Sequence, residues 1–114
     1  MAATHFSGPV NSSNGFTAGD SGVQIKGIYS AAIAVTVAAD LAAAEEDISL
    51  TITGVAPGDV VLLAPINSAM ETGVAIVAVW ISAANTVKVR VSNVNGSTLT
   101  GSTTNWNYLW FDLT

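Results

Sequence analysis

Cysteine is absent from the 114-residue chain. That absence excludes a disulfide framework, thiolate-held zinc and any cysteine nucleophile. A chain of this length needs no staple, since folding removes about two-thirds of its unfolded surface from water. Charge is scarce as well: 10% of residues are charged, against about a quarter in an ordinary soluble domain. Positive charge is scarcer still, with Lys26, Lys88 and Arg90 set against eight acidic residues for a net charge of −5. Too few cations are present to neutralise a run of phosphates, so nucleic acid is not an expected partner. Long hydrophobic runs are missing too. The stretch Ala31 to Ala44 has Asp40 inside it and falls short of the ~20 residues a bilayer span requires, so no membrane is expected. The first residues carry neither a basic nor an apolar leader region, from which synthesis and retention in the cytoplasm are expected.

What is present is apolar and small. Half of the residues are hydrophobic, so the surface is either built from Ser, Thr, Asn and Gly or is in part apolar area covered by neighbouring subunits. The second reading is preferred for part of it.

Residues 1–22 hold Gly8, Pro9, Gly15, Gly19 and Gly22 among Ser and Asn with no sustained period, the composition of an irregular N-terminal arm. Phe6, Val10 and Phe16 give that arm apolar anchors with which it can wrap a neighbour. From Val23 the pattern turns to period two, and residues 23–114 read as one β domain. Val23 to Tyr29 and Ile33 to Val37 form two alternating sets, and Ala38 to Glu46 then suits a helical turn or a loop, of which the loop is preferred. Ile48, Leu50 and Ile52 alternate with Ser49, Thr51 and Thr53 as a half-buried strand. Val60 to Ala64 is continuously apolar, as expected of a strand covered on both faces, and Pro65 closes it. Val74 to Ser82 is a longer apolar run. Val87, Val89 and Val91 face one way and Lys88 and Arg90 the other, a register in which a one-residue slip would bury both cations. The last strand runs from Trp106 to Leu113. Roughly seven short strands without a helix indicate an all-β, antiparallel β-sandwich, with the jelly roll among its forms.

Residues that carry chemistry are sparse. His5, the sole histidine, sits in the arm without a nearby carboxylate to orient it, so no catalytic triad is expected. Glu45, Glu46 and Asp47 lack the spacing of a calcium loop and read as a solvated turn. Asp59, Glu71 and Asp112 are the carboxylates from which a glycosidase pair would have to be drawn, and nothing in their context raises them. The glycines of the arm lack the lysine of a phosphate loop. No catalytic residue, cofactor or metal is expected, and the chain reads as a non-enzyme. The aromatics are the exception to this sparseness. Trp106, Tyr108 and Trp110 share one strand face, which suits core packing, a subunit interface or stacking on sugar rings. The interface candidates are Phe6, Val10, Phe16, Trp106, Tyr108 and Trp110.

The sequence Gly58-Asp59-Val60-Val61-Leu62 with Pro65, then Gly73-Val74, Ser82-Ala83-Ala84-Asn85-Thr86-Val87 and Val89-Arg90-Val91-Ser92-Asn93-Val94 resembles a module of small tailed-phage virion proteins, including capsid decoration (cement) and head-fibre proteins. It spans about half the chain, from Ile48 to Phe111. The opening Phe6-Ser7-Gly8-Pro9-Val10 with Asn14-Gly15-Phe16 is similar to the start of short phage structural proteins. The resemblance implies a sandwich subunit on the outer capsid surface of a virion, a dimer or trimer that clamps the major capsid protein and stabilises the shell by binding only its assembled state. The alternative it leaves open is a fibre or tail module that recognises a host glycan or receptor, in which Trp106 and Trp110 would be exposed.

Overall fold

Eight strands and no helix make up a computed structural model in which residues 3, 5–39, 44–66 and 70–114 are described. They are β1 (Phe16–Thr17), β2 (Gln24–Ile25), β3 (Gly27–Val37), β4 (Glu45–Thr51), β5 (Val60–Pro65), β6 (Val74–Ala83), β7 (Thr86–Asn93) and β8 (Ser102–Asp112). The strands pair antiparallel throughout. The first sheet has the order β3-β8-β5 and the second β4-β7-β6, while β1 and β2 form a small ribbon. The protein is therefore all-β, as expected, and its sheets do not close.

Each sheet is built around its most regular strand. β7 alternates strictly between half-buried and buried positions, with Val87, Val89 and Val91 inward and Lys88 and Arg90 outward, as the period-two pattern requires. β8 centres the first sheet. Its residues Tyr108, Trp106 and Trp110 lie on the inner side with Val35, Val37 and Val61, and these join Leu50, Val74 and the β7 valines in one apolar core. Trp106 is 0% exposed, and its indole N–H donates to Thr104 Oγ1 at 3.0 Å, which satisfies the buried donor.

Two turns of the second sheet are fastened to one another. Asn85, in the turn between β6 and β7, takes φ 62°, a left-handed conformation that Asn tolerates better than most residues. Its backbone bonds Val55 O and receives Ile52 N, and its Oδ1 accepts from Gly54 N at 2.8 Å. The turn after β4 is thereby fastened to the far side of the second sheet. Gly54 itself has φ 103°, and a Cβ there would stand 2.7 Å from the Trp110 ring. Both the conformation and the ring call for glycine.

Four expectations need correction. The sets Val23–Tyr29 and Ile33–Val37 are not two strands: β3 runs unbroken through Ser30, Ala31 and Ala32, because β8 opposes every residue from Gly27 to Val37. The acidic cluster lies in β4 rather than in a turn, with Glu45, Glu46 and Asp47 opposite Ser92, Val91 and Arg90. The arm is not wholly irregular, since Phe16–Thr17 pairs with Gln24–Ile25. Finally, β5 is covered on one face only: Val61 is buried while Val60 and Leu62 remain exposed. The heart of the loop expected after Val37, residues 40–43, lies outside the described residues.

Candidate interaction surface

Exposed apolar side chains occur in the arm, on the second sheet at Ile76 and Val77, and on the first sheet, where Ile28, Val60 and Leu62 belong to one continuous face. Register places Ile28, Phe111 and Val60 in one row across β3, β8 and β5, then Ser30, Leu109 and Leu62, then Ala32, Asn107 and Ala64. These positions alternate with the inward Tyr29, Trp110 and Val61, so they form the outer face. Ile28 is 50% exposed and Leu62 55%. Across these three rows there is no charged side chain. A shallow groove of about 280 Å³ runs over the face, lined by Leu62, Ala64, Leu109 and their neighbours.

The arm meets the same end of the sheet. Val10, Phe16, Ile25 and Ile28 line a second groove of about 290 Å³, so the apolar side chains of the arm and of the outer face are contiguous. Phe6, Val10 and Phe16 are all exposed. Gln24 Nε2 donates to Asn14 O at 2.6 Å and Ser12 Oγ to Gly15 O, which ties the arm to the ribbon. Lys26 continues the ladder, its N–H donating to Asp112 O at 2.8 Å, and its ammonium reaches Thr114 O.

The candidate interface residues of the last strand lie elsewhere. Trp106 and Trp110, 7% exposed, are core side chains and Tyr108 packs against the core. The strand face that carries them is the inner one. Tyr29 stacks on Trp110 with ring centroids 4.6 Å apart and stays 47% exposed.

Of the carboxylates weighed for chemistry, two are engaged in fastening loops. Asp59 accepts from Ala56 N and Trp110 Nε1 at 3.0 Å, from Leu113 N at 2.9 Å and from Thr114 N at 3.1 Å. Partial burial pushes its pKa up, but the amides of Leu113 and Ala56, the Trp110 indole and Thr114 together outweigh that and hold it below the ordinary range. Glu71 receives Thr100 Oγ1 at 2.6 Å and the backbone N–H groups of Thr100 and Gly101. The Thr100 hydroxyl and amide lower its pKa. Sequence reasoning missed both clasps, and only the Gly58-Asp59 strand start offered a signal for either. His5 is exposed in the arm.

The outer face of the second sheet has another character. Arg90 there donates through Nε to Asp47 Oδ1 at 2.7 Å and through Nη2 to Oδ2 at 3.1 Å. The bidentate hydrogen bond from Arg90 is the main cause of the lowered Asp47 pKa, and Arg90 is raised in turn. The guanidinium also stands 5.3 Å from the Trp80 ring centroid, within cation–π range. Among the described residues no three His, Asp or Glu side chains group so as to hold a metal ion.

Fold and surface together define an all-β protein with one charge-free apolar sheet face beside an apolar arm. No family model, curated protein or solved structure matches the chain.

Proposed function

We propose that the protein is a non-enzymatic structural component of a tailed-phage virion, a homo-oligomer that decorates the outer capsid surface by binding major capsid protein subunits. The observation that carries this reading is the uncharged apolar outer face of the first sheet, contiguous with the arm. A subunit that works by packing needs apolar surface free of charges whose desolvation would oppose docking. The resemblance of Gly58 to Val94 to phage decoration and head-fibre modules supplies the kind of partner. For architecture we infer a β-sandwich, supported by the single core to which both sheets contribute. The three strands in each sheet fit a plain sandwich better than the eight-stranded jelly roll. The fibre reading requires exposed tryptophans on β8, and the burial of Trp106 and Trp110 gives it no support.

The test is to mix purified protein with undecorated phage heads, pellet the heads, count bound copies and compare rupture temperatures. Saturable, stoichiometric binding with a raised rupture temperature is expected; absence of binding overturns the proposal. Removal of residues 1–16 is expected to lower head occupancy while the sheets still melt cooperatively, because none of the arm's described residues belongs to the core. Unchanged occupancy would remove the arm from the interface.

A further inference from the structure

We propose that the outer edge of β3 joins two copies of this chain, strand against strand and antiparallel about a two-fold axis, so that two three-stranded sheets become one continuous sheet. The inference deepens the homo-oligomer part of the proposed function, on which it rests, and its test needs no capsid.

An open sheet presents unpaired N–H and C=O groups at its edges, and proteins guard such edges with charge, proline, bulges or brevity. Three of the four edges here are guarded. β4 carries Glu45, Glu46 and Asp47. β5 has six residues and ends on Pro65. β6 shifts register between Ile76 and Ala78 and again between Ile81 and Ala83. β3 has none of these devices: eleven residues, Gly-Ile-Tyr-Ser-Ala-Ala-Ile-Ala-Val-Thr-Val, without charge or proline and without a register shift against β8. Among the described residues, no backbone hydrogen bond reaches β3 from any element but β8.

Burial marks the same place. The end of β3 near Val37 lies by β4, where Ala38 N donates to Glu46 Oε1 at 3.0 Å. The other half, Ile28 to Ala32, is exposed on both faces. That half of the strand stands clear of the second sheet, and its outer edge is open to pairing with another strand.

The molecule also exposes more surface than a compact monomer of its size. The chain exposes 7143 Å², whereas a compact monomer of its mass exposes about 5,800 Å². The excess of about 1,300 Å², shared between the arm and the overhanging half of β3, is surface that a neighbour can cover. A radius of gyration of 17.9 Å, against about 13 Å for a compact domain of this length, describes the same overhang.

A second copy fits the edge better than a foreign partner. Two molecules of net charge −5 repel least where they meet through an uncharged strip, and β3 is one. An isologous contact uses one patch twice and must be self-complementary. Antiparallel self-pairing centred on Ala32 sets that residue against its own copy and Ser30 against Ala34, small side chains that meet without steric conflict.

Sedimentation equilibrium at micromolar concentration tests this. Wild type is expected at twice 11.6 kDa and Ala32→Lys at the monomer mass with an unchanged circular dichroism spectrum. Thr51→Lys, on the guarded edge of β4, is expected to remain a dimer. Hydrogen exchange on wild type gives a second reading: β3 amides that point away from β8 should exchange slowly and become fast in Ala32→Lys. If Ala32→Lys does not fold, Ser30→Lys on the same face replaces it. Monomer or trimer mass for wild type, a dimer indifferent to the lysine, or fast exchange of the outward β3 amides would overturn the proposal. A dimer that ignores phage heads would overturn the capsid reading alone, and a monomer that binds heads would overturn the homo-oligomer and this inference while leaving the capsid reading standing.

Discussion

The outer face of the second sheet and the outer face of the first are made by the same kind of strand yet behave as different surfaces. On the second, Lys88 and Arg90 stand between Ser49 and Asp47 on one side and Trp80 and Ala78 on the other, so charge interrupts the face. On the first, Ile28, Val60, Leu62, Leu109 and Phe111 share an area without a single charge. An exposed Leu on a soluble protein is ordinary, but a contiguous uncharged apolar area marks an interaction site. The inner faces do not differ in this way, since both contribute to one core.

The largest effect should therefore come from the shared interior and should not distinguish the sheets. Trp106→Ala leaves a cavity where the largest fully buried side chain sits and is expected to cost about 3–5 kcal/mol, read as a collapse of the urea midpoint. If the first sheet melted alone while the second persisted, the common core would be refuted.

Next in size is the clasp between the start of β5 and the chain end. Asp59→Ala strands the Trp110 indole and the Leu113 and Thr114 amides, at a cost of about 1–3 kcal/mol. Because the folded state depresses the pKa of Asp59, the unfolded chain binds the proton more readily, and stability rises with pH through this group. The contribution is complete above the unfolded value of ~3.9 and is lost as pH falls through the folded one. Thermal midpoints of wild type and Asp59→Ala should differ most near neutrality and converge in acid; a gap independent of pH would show that the carboxylate charge is immaterial.

The two outer faces themselves call for smaller changes, and here their difference is sharpest. Leu62→Ser should move monomer stability by less than about 0.5 kcal/mol while reducing head occupancy. Equal binding by this variant would remove the apolar face from any interface. Smallest of all should be Arg90→Ala, which breaks an exposed ion pair that salt already screens. Its midpoint should stay close to that of wild type, with the small difference vanishing at high salt. A large, salt-independent loss would mean that the second face is a packed surface after all.

Much of the strand pattern was legible before the fold. The alternation of β7 set Val87, Val89 and Val91 inward, and the turn at Ala84-Asn85 and the stop at Pro65 fell where expected. The alignment of Trp106, Tyr108 and Trp110 on one face was legible too, whereas which side of the sheet that face would occupy was not. Similarly, an apolar run such as Val60 to Ala64 declares that both faces want cover, without saying that the chain provides it for only one.

By itself, then, the sequence determined the all-β class, the inward and outward alternation of its best strands and the scarcity of charge. These follow from side-chain period, from φ preferences at Gly and Asn, and from composition, all of which are local. Only the tertiary structure decided that β3 is a single long edge strand, that the acidic cluster lies in β4 opposite Arg90, and that Asp59 fastens Leu113, 54 positions away. Those outcomes depend on which segments meet across long stretches of chain, and no local period encodes a meeting of that kind.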